Sequence, residues 1–398
     1  MMADCYIAII GGGIIGNAIS YEISKLFNNE IICLLEKNKH FPGENQTSRN
    51  SGVLHAGIYY DEVQSPLKAR LCVEGNELLY QFCQIYHLPL KRTGKLVVAT
   101  NAQEDQSLEE LLLRSKENKV PNVKKLNKEE TQSLEPNVVA YSSLFVPTSG
   151  ILDPLAVVCK LKELSNLKEY FLLGTTVIDI SPREKEFILK TRTNENEISE
   201  FSTKYIINAA GLESDKIARM VNDKFPLEIF PVRGESAKFY QSREDLKISR
   251  NIYPVPKFYN KPDGSKHLTV GVHLTPTFSL EVNQRDENEP FKLGKEITIG
   301  PLNRKRGKDL EKNELGSDLA IPSVFLEEIK KYFPSITLNE IQLHQTGIQA
   351  VLANSLDFHI APDEIYPNLI NVVGICSPGL TSSLAIAKKV KSFIQHPH

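Results

Sequence analysis

With 398 residues, 47 basic against 49 acidic side chains and a net charge of −2, the chain has length for two or three folding units. Its charge balance excludes a global field that would hold nucleic acid or an anionic membrane, which leaves a small molecule as the expected partner. The six cysteines, Cys5, Cys33, Cys72, Cys83, Cys159 and Cys376, form no CxxC and no metal-ligand spacing, so no metal site is expected and a reducing compartment fits.

In chain order, the apolar run Tyr6 to Ile10 leads into Gly11-Gly12-Gly13-Ile14-Ile15-Gly16, residues 14 to 27 carry apolar positions at helical spacing, and a second run, Ile31 to Leu35, ends in Glu36. Strand, glycine turn, helix, strand and terminal acid make a dinucleotide-binding βαβ unit. Its glycines permit a tight turn, the approach of backbone to a pyrophosphate and close helix-to-strand contact, and its acid binds ribose hydroxyls while opposing the 2′-phosphate of NADP. The strand begins within a few residues of Met1, so no presequence is expected; the assigned location is the cytoplasm, with the mitochondrion as alternative. No apolar run approaches the ~20 residues of a bilayer span, so no transmembrane segment is expected, and peripheral membrane association stays compatible with the sequence.

Residues 37 to 57 read as a polar, glycine-bearing loop, Pro66 to Tyr86 as a helix, Lys95 to Ala99 as a strand, and 104 to 135 as two helices around Pro121. Asp153-Pro154 opens a helix over Leu155 to Leu164. Thr175 to Ile180 and Phe187 to Thr193 resemble paired strands, and Tyr205 to Gly211 a buried strand ending in Ala209-Ala210-Gly211. Prolines divide 228 to 300 into the short strands of an antiparallel sheet, Arg304-Lys305-Arg306 reads as a solvated loop, and Leu319 to Phe333 as one helix. The chain closes with a strand, Leu369 to Ile375, the loop Cys376 to Gly379 and a helix from Thr381 to about Gln395.

Three places carry chemistry. In the loop Gln46 to Tyr60, small residues at Ser51, Gly52, Ala56 and Gly57 let backbone pass a flat ring, and His55 has a pKa suited to proton transfer; the alternative is a histidine that satisfies backbone carbonyls. Ala209-Ala210-Gly211 marks a close approach, either to a ligand or to a neighbouring helix. The last loop leads into a helix opened by Thr381 and Ser382, whose free N–H groups suit an anion or an electron-rich ring edge, or else are simply capped.

On Ile9 to Gly16, Glu36-Lys37, Asn50 to Tyr60, Leu67 to Gly75, Thr93 to Leu96, Asn251 to Pro256, Gly271 to Pro276 and Ser377 to Ser383, the chain resembles the D-amino-acid-oxidase-like superfamily of FAD-dependent oxidoreductases, and within it the L-2-hydroxyglutarate dehydrogenase/oxidase branch. The resemblance implies an α/β protein with a Rossmann-like FAD-binding domain (1–90, 150–215 and 340–398) and an inserted mixed-sheet substrate domain (91–149 and 216–339). It implies FAD contacts from Gly11, Gly13, Ile14, Ile15, Gly16, Glu36, Lys37, Ser48, Asn50, Ser51, Gly52, Val177, Ala210, Gly211, Gly379, Leu380, Thr381 and Ser382.

It further implies that His55 is the base for a substrate hydroxyl and that His273 and Tyr253 orient the substrate. Arg233 is read either as an anion contact or as half of a structural salt bridge. Gln349 stands where the branch usually carries an arginine, and a neutral amide lacks the charged fork that clamps a carboxylate. The expected reaction is oxidation of a small L-2-hydroxy acid to the 2-oxo acid, with an unidentified electron acceptor; the alternatives are sn-glycerol-3-phosphate oxidation and a flavin-binding protein without catalysis.

Overall fold

The computed structural model of the chain describes residues 4–27, 29–260, 266–279, 291–306 and 319–395. The chain divides into two compact units, one made of Met1–Asn50, Pro154–Pro231 and Ile348–His398, the other of Ser51–Asp153 and Val232–Gly347.

The first unit is built on a mixed sheet. Cys5–Ile10 lies parallel to Ile32–Glu36 on one side and to Ile198–Asn208 on the other, with Ile10 opposite both Leu35 and Asn208. Phe171–Leu173 extends the parallel part beyond Ile32–Glu36, and Leu369–Val373 runs parallel to the end of Ile198–Asn208. The strand Ile198–Asn208 has two partners in succession: its first half closes an antiparallel meander with Phe187–Thr193 and Thr175–Pro182, its second half joins the nucleotide-type sheet. The strands Cys5–Ile10 and Ile32–Glu36 are buried almost throughout, the pattern of a parallel sheet covered on both faces. The helices Ile14–Ser24, Pro154–Ser165 and Gly379–Gln395 supply a cover, with Ile14–Ser24 packed on both of the others.

A sheet whose strands fall mostly in the second unit runs in the order Gln342–Leu352, Ile229–Tyr240, Leu293–Arg306, Leu274–Phe278, Asn251–Pro254, Lys95–Ala99, Ser142–Val146, Lys124–Leu126, with Ile229–Pro231 and Ile348–Leu352 counted in the first unit. Alternation along Lys95–Ala99 divides its core: Leu96 and Val98 join a cluster with Ile252, Leu274, Phe325 and Phe333, whereas Val97 and Ala99 join Ala56, Tyr59, Leu144 and Tyr253 on the other face. Lys95 has the parity of Val97 and Ala99. A short sheet of Val53–Leu54, Gly150–Leu152 and Leu90–Lys91 ties the loop after residue 50 into this unit. For that reason 51–90, which the sequence groups with the nucleotide-binding part, clusters here instead.

Three local expectations change. The helix Ala102–Glu117 ends before Pro121, with Lys119 at φ +57°, and Lys124–Leu126 then pairs with Ser142–Val146 as a strand, where helix was expected. The helix expected over Leu319 to Phe333 is confined to Pro322–Ile329. Ile321 precedes a proline and is extended, and Phe333 also precedes one, so the α conformation is disfavoured just ahead of each proline. Arg304 to Arg306 ends the strand Leu293–Arg306 and is not a loop, and Arg304 Nη1 lies 3.8 Å from Glu235 Oε2.

Candidate active site

In the first unit the glycine turn is held from three sides. Gly11 has φ +113°, and a Cβ there would stand 2.3 Å from the Ala209 carbonyl oxygen. A Cβ on Gly16 would stand 1.9 Å from the Gly11 carbonyl oxygen, so only glycine allows the helix Ile14–Ser24 to leave the strand at this separation. Gly13 caps that helix with no side-chain hydrogen bond, which keeps the end suited to an anion. The Gly12 N–H donates to Glu36 Oε2 at 2.9 Å and the Asn38 N–H to Glu36 Oε1 at 2.9 Å, so the buried acid is fixed at the end of its strand. Thr47 Oγ1 accepts from the Ile14 N–H at 2.9 Å and joins the following loop to the turn, a contact that sequence reading missed because threonine carries no signature there.

The remaining residues expected around a flavin nucleotide fall in varied settings. Gly211, at φ +58°, faces open space where a Cβ would meet nothing, and Ala210 beside it is half-buried. Thr381 and Ser382, in the first turn of Gly379–Gln395, are fully buried, and among the described residues no partner reaches Ser382 Oγ. Val177 is buried in the core with Ala8, Ile10, Cys33 and Leu35, and Lys37 is exposed. Ser48 and Asn50 donate to loop carbonyls, Ser48 Oγ to Gly43 O at 2.7 Å and Asn50 Nδ2 to Thr47 O at 2.5 Å. A glycine turn in which a Cβ on Gly11 or Gly16 would clash with backbone, a helix N-terminus at that turn, a strand-end acid and, among the described residues, a buried hydroxyl without a partner together fit a dinucleotide such as FAD.

The second unit gathers the titratable groups. Ser51 and Gly52, with φ +67° at Gly52, lead into His55. The loop that carries His55 is braced by side-chain amides: Asn76 Nδ2 donates to His55 O at 2.8 Å, and Asn118 Nδ2 to Gly57 O and Tyr60 O, each at 2.7 Å. Lys95 Nζ lies 3.5 Å from His55 Nδ1, 3.9 Å from the centroid of the Tyr253 ring and 5.1 Å from that of Tyr59. The rings of Tyr253 and His273 stack at 3.8 Å with 12° between their planes. His273 Nδ1 is 3.2 Å from Gly271 O, a contact that requires Nδ1 to donate and so makes Nε2 an acceptor. Among the described residues, Tyr59 Oη, Tyr253 Oη and His273 Nε2 are buried without a hydrogen-bond partner. Buried polar atoms are rarely left so, and the three rings that carry these are neighbours, with Tyr59 and Tyr253 centroids 6.5 Å apart.

Electrostatics set this group apart. Lys95 is 1% exposed, and among the described residues no carboxylate pairs with it. Burial pulls its ammonium down to about 7, weakly opposed by the Cys72 thiol. Burial, then the Lys95 charge, lowers His273 to about 3, and burial, then Lys95 and His273, hold His55 well below the usual histidine value. Both imidazoles are therefore neutral bases near neutrality. His55, half-buried, is the more accessible of the two; His273 is 3% exposed.

Of the five residues expected at the chemistry, His55, Tyr253 and His273 come together. Arg233 is fully buried and makes an ion pair with Glu235 Oε1 at 2.6 Å, the structural alternative of its two readings. Gln349 lies half-buried on Gln342–Leu352 in the segment that belongs to the first unit. Lys95 and Tyr59, which lie beside these residues, were not singled out in the sequence, although a lysine heading an otherwise apolar, wholly buried strand was a signal for the former.

A model of the DAO family, described as FAD dependent oxidoreductase, matches residues 7–392. L-2-hydroxyglutarate dehydrogenase of Indibacter alkaliphilus is 31% identical over 97% of this chain and 98% of its own length, and the mitochondrial L-2-hydroxyglutarate dehydrogenase of Arabidopsis thaliana is 29% identical over 96% of this chain and 82% of its own. Among solved structures, dithionite-reduced L-alpha-glycerophosphate oxidase of Mycoplasma pneumoniae with FAD bound superposes with a TM-score of 0.80 at 25% identity, covering 98% of this chain and 95% of that one. Glycine oxidase of Bacillus cereus, at 16% identity and a TM-score of 0.74, shares the fold. With the family's model matched almost end to end on a glycine cradle shaped for its cofactor, the chain belongs to the DAO family of FAD-dependent oxidoreductases and is an FAD-dependent enzyme.

Proposed function

We propose that this enzyme oxidises a small L-2-hydroxy acid of the 2-hydroxyglutarate type to the corresponding 2-oxo acid. The observation that carries the reading is the cluster of half-buried His55 with buried Tyr59, Tyr253 and His273, in which neutral imidazoles stand beside phenol hydroxyls that have no partner among the described residues. The names of the relatives similar over nearly the whole chain support the substrate class.

The glycine turn Gly11–Gly16 would hold the pyrophosphate of FAD, Glu36 the adenosine ribose, and Gly379 to Ser382 the flavin. When bound, FAD supplies a two-electron acceptor for the hydride that leaves the substrate carbon. His55 takes the hydroxyl proton, for which a neutral, half-exposed imidazole is suited. Tyr253 offers a phenol donor to the substrate and His273 Nε2 an acceptor. Arg233, engaged by Glu235, is given no substrate contact.

A second reading, oxidation of sn-glycerol 3-phosphate, is favoured by the likeness to the Mycoplasma oxidase. Gln349 offers a cationic fork to neither acid, a lack that weighs more on a dianionic phosphate than on a carboxylate. Anaerobic mixing with L-2-hydroxyglutarate, sn-glycerol 3-phosphate and glycine separates the readings by the rate at which the flavin band bleaches. L-2-hydroxyglutarate is expected to bleach it fastest, and His55→Ala to retain FAD while slowing that step by about 10²- to 10⁴-fold. Bleaching by glycerol 3-phosphate alone, or a parental rate in His55→Ala, overturns the assignment of substrate or of base respectively.

A further inference from the structure

We propose that Lys95 is the positioning residue for His55: its neutral amine accepts a hydrogen bond from His55 Nδ1–H and so leaves the Nε2 lone pair to receive the substrate's hydroxyl proton. The inference rests on the reading above that His55 is the base.

The geometry is specific. Lys95 Nζ stands 3.5 Å from Nδ1, the outer range of a hydrogen bond that ligand-free sites often leave long, and its other close neighbours are the faces of Tyr253 and Tyr59. An ammonium has three donors and no acceptor, so charged Lys95 donates to Nδ1, forces the proton of neutral His55 onto Nε2 and removes the base. A neutral amine does the reverse. The strand places Lys95 on the face shared by Val97 and Ala99, in an apolar cluster where among the described residues no carboxylate holds it charged.

The titratable groups around it come from every neighbouring element: His55 and Tyr59 from the braced loop, Cys72 from the helix Pro66–Ile85, Tyr253 from the strand Asn251–Pro254 and His273 from the turn before Leu274. Burial pushes both phenols and the thiol up and both imidazoles down, so these groups are neutral near neutrality. Lys95, lowered to about 7, is the member of the set whose charge changes there. In the reaction the substrate O–H bond would break as Nε2–H forms, the O–H electron pair would become the carbonyl π bond, FAD when bound would supply the acceptor for the C–H electron pair, and the imidazolium charge would be shared through Nδ1–H with Lys95 Nζ.

The test is nitrogen NMR of the FAD-loaded enzyme labelled with ¹⁵N-histidine, titrated from the acid to the alkaline side of neutrality, with the His55 signal assigned by its loss in His55→Gln. The parent is expected to pass from an Nε2–H to an Nδ1–H tautomer as pH rises. Flavin reduction should rise over the same interval. Lys95→Met is expected to lose the tautomer switch and to slow reduction by about 10- to 100-fold. Lys95→Arg, permanently charged, should hold Nε2–H throughout and be slower still.

A tautomer in the parent that does not follow pH, which needs no variant to fold, overturns the proposal; so does a Lys95→Met protein with the parental rate and pH profile. A parental rate in His55→Ala instead overturns the reading of His55 as base, whatever the tautomer does.

Discussion

At the scale of single residues, Gln349 is where this chain departs from the arginine its branch resemblance implies, and the departure bears on substrate charge. The side chain is half-buried on Gln342–Leu352, so an arginine there can cover its apolar stem while its charged head keeps contact with water. Gln349→Arg is expected to tighten binding of dicarboxylic hydroxy acids by ~1.5 to 3 kcal/mol, the usual worth of a hydrogen bond to a charged group, and to leave a neutral hydroxy compound unaffected. KM values for L-2-hydroxyglutarate and a neutral analogue in both proteins check this. Loss of activity on the dicarboxylate in the arginine variant, with an efficient glutamine parent, would make Gln349 a specificity determinant for another acid. His55 shows a different residue-scale effect: burial and Lys95 keep it neutral well below the usual histidine range, so on the proposal above the acid limb of the rate profile near neutrality is expected to follow Lys95, where the sequence alone suggests protonation of His55 itself.

At the scale of elements, the glycine turn is the part most open to a direct steric test. Gly16→Ala places a methyl 1.9 Å from a backbone carbonyl oxygen that a flexible side chain does not relieve, so the helix Ile14–Ser24 must shift from its strand. The expected cost is roughly 3 kcal/mol in urea unfolding together with weakened FAD retention, whereas Gly43→Ala, where a Cβ meets nothing, should change neither. Equal midpoints and equal FAD affinity for the two variants would remove the steric account. The same turn explains why the βαβ fold was legible here: Gly11 and Gly16 are required by backbone geometry, which leaves a trace in residue type, and Glu36 holds the turn by accepting from two backbone N–H groups. The strand Lys124–Leu126 left no such trace, since three residues of ordinary propensity are recruited by their partner Ser142–Val146. His55 stood out through its flanking glycines, whereas Lys95 joins its cluster only through tertiary contact with rings from Asn251–Pro254 and from the loop beyond His55.

At the scale of the whole molecule, burying Lys95 with no counter-ion among the described residues links the proposed site to global stability. The folded-state value is depressed, about 7 against 10.5 for an unperturbed lysine, so between these pH values the unfolded chain binds the proton and the folded one does not. Stability from this residue is therefore fully present above about pH 10.5 and is lost progressively as pH falls towards 7; the total is at most about 5 kcal/mol, since each tenfold difference in proton affinity is worth ~1.36 kcal/mol. Replacing the lysine by methionine removes the titration and keeps the length of the side chain in an apolar cluster. Lys95→Met should accordingly be more stable than the parent at neutral pH, and the difference should shrink as the solution is made alkaline. Urea midpoints of parent and variant, measured in parallel across that interval with FAD saturating, isolate the lysine because every other titrating group is common to both. A constant difference across the interval would mean that Lys95 is charged in the folded enzyme throughout. A difference that closes with rising pH, together with slower flavin reduction in the variant, would place the lysine among residues that cost stability where they serve the chemistry.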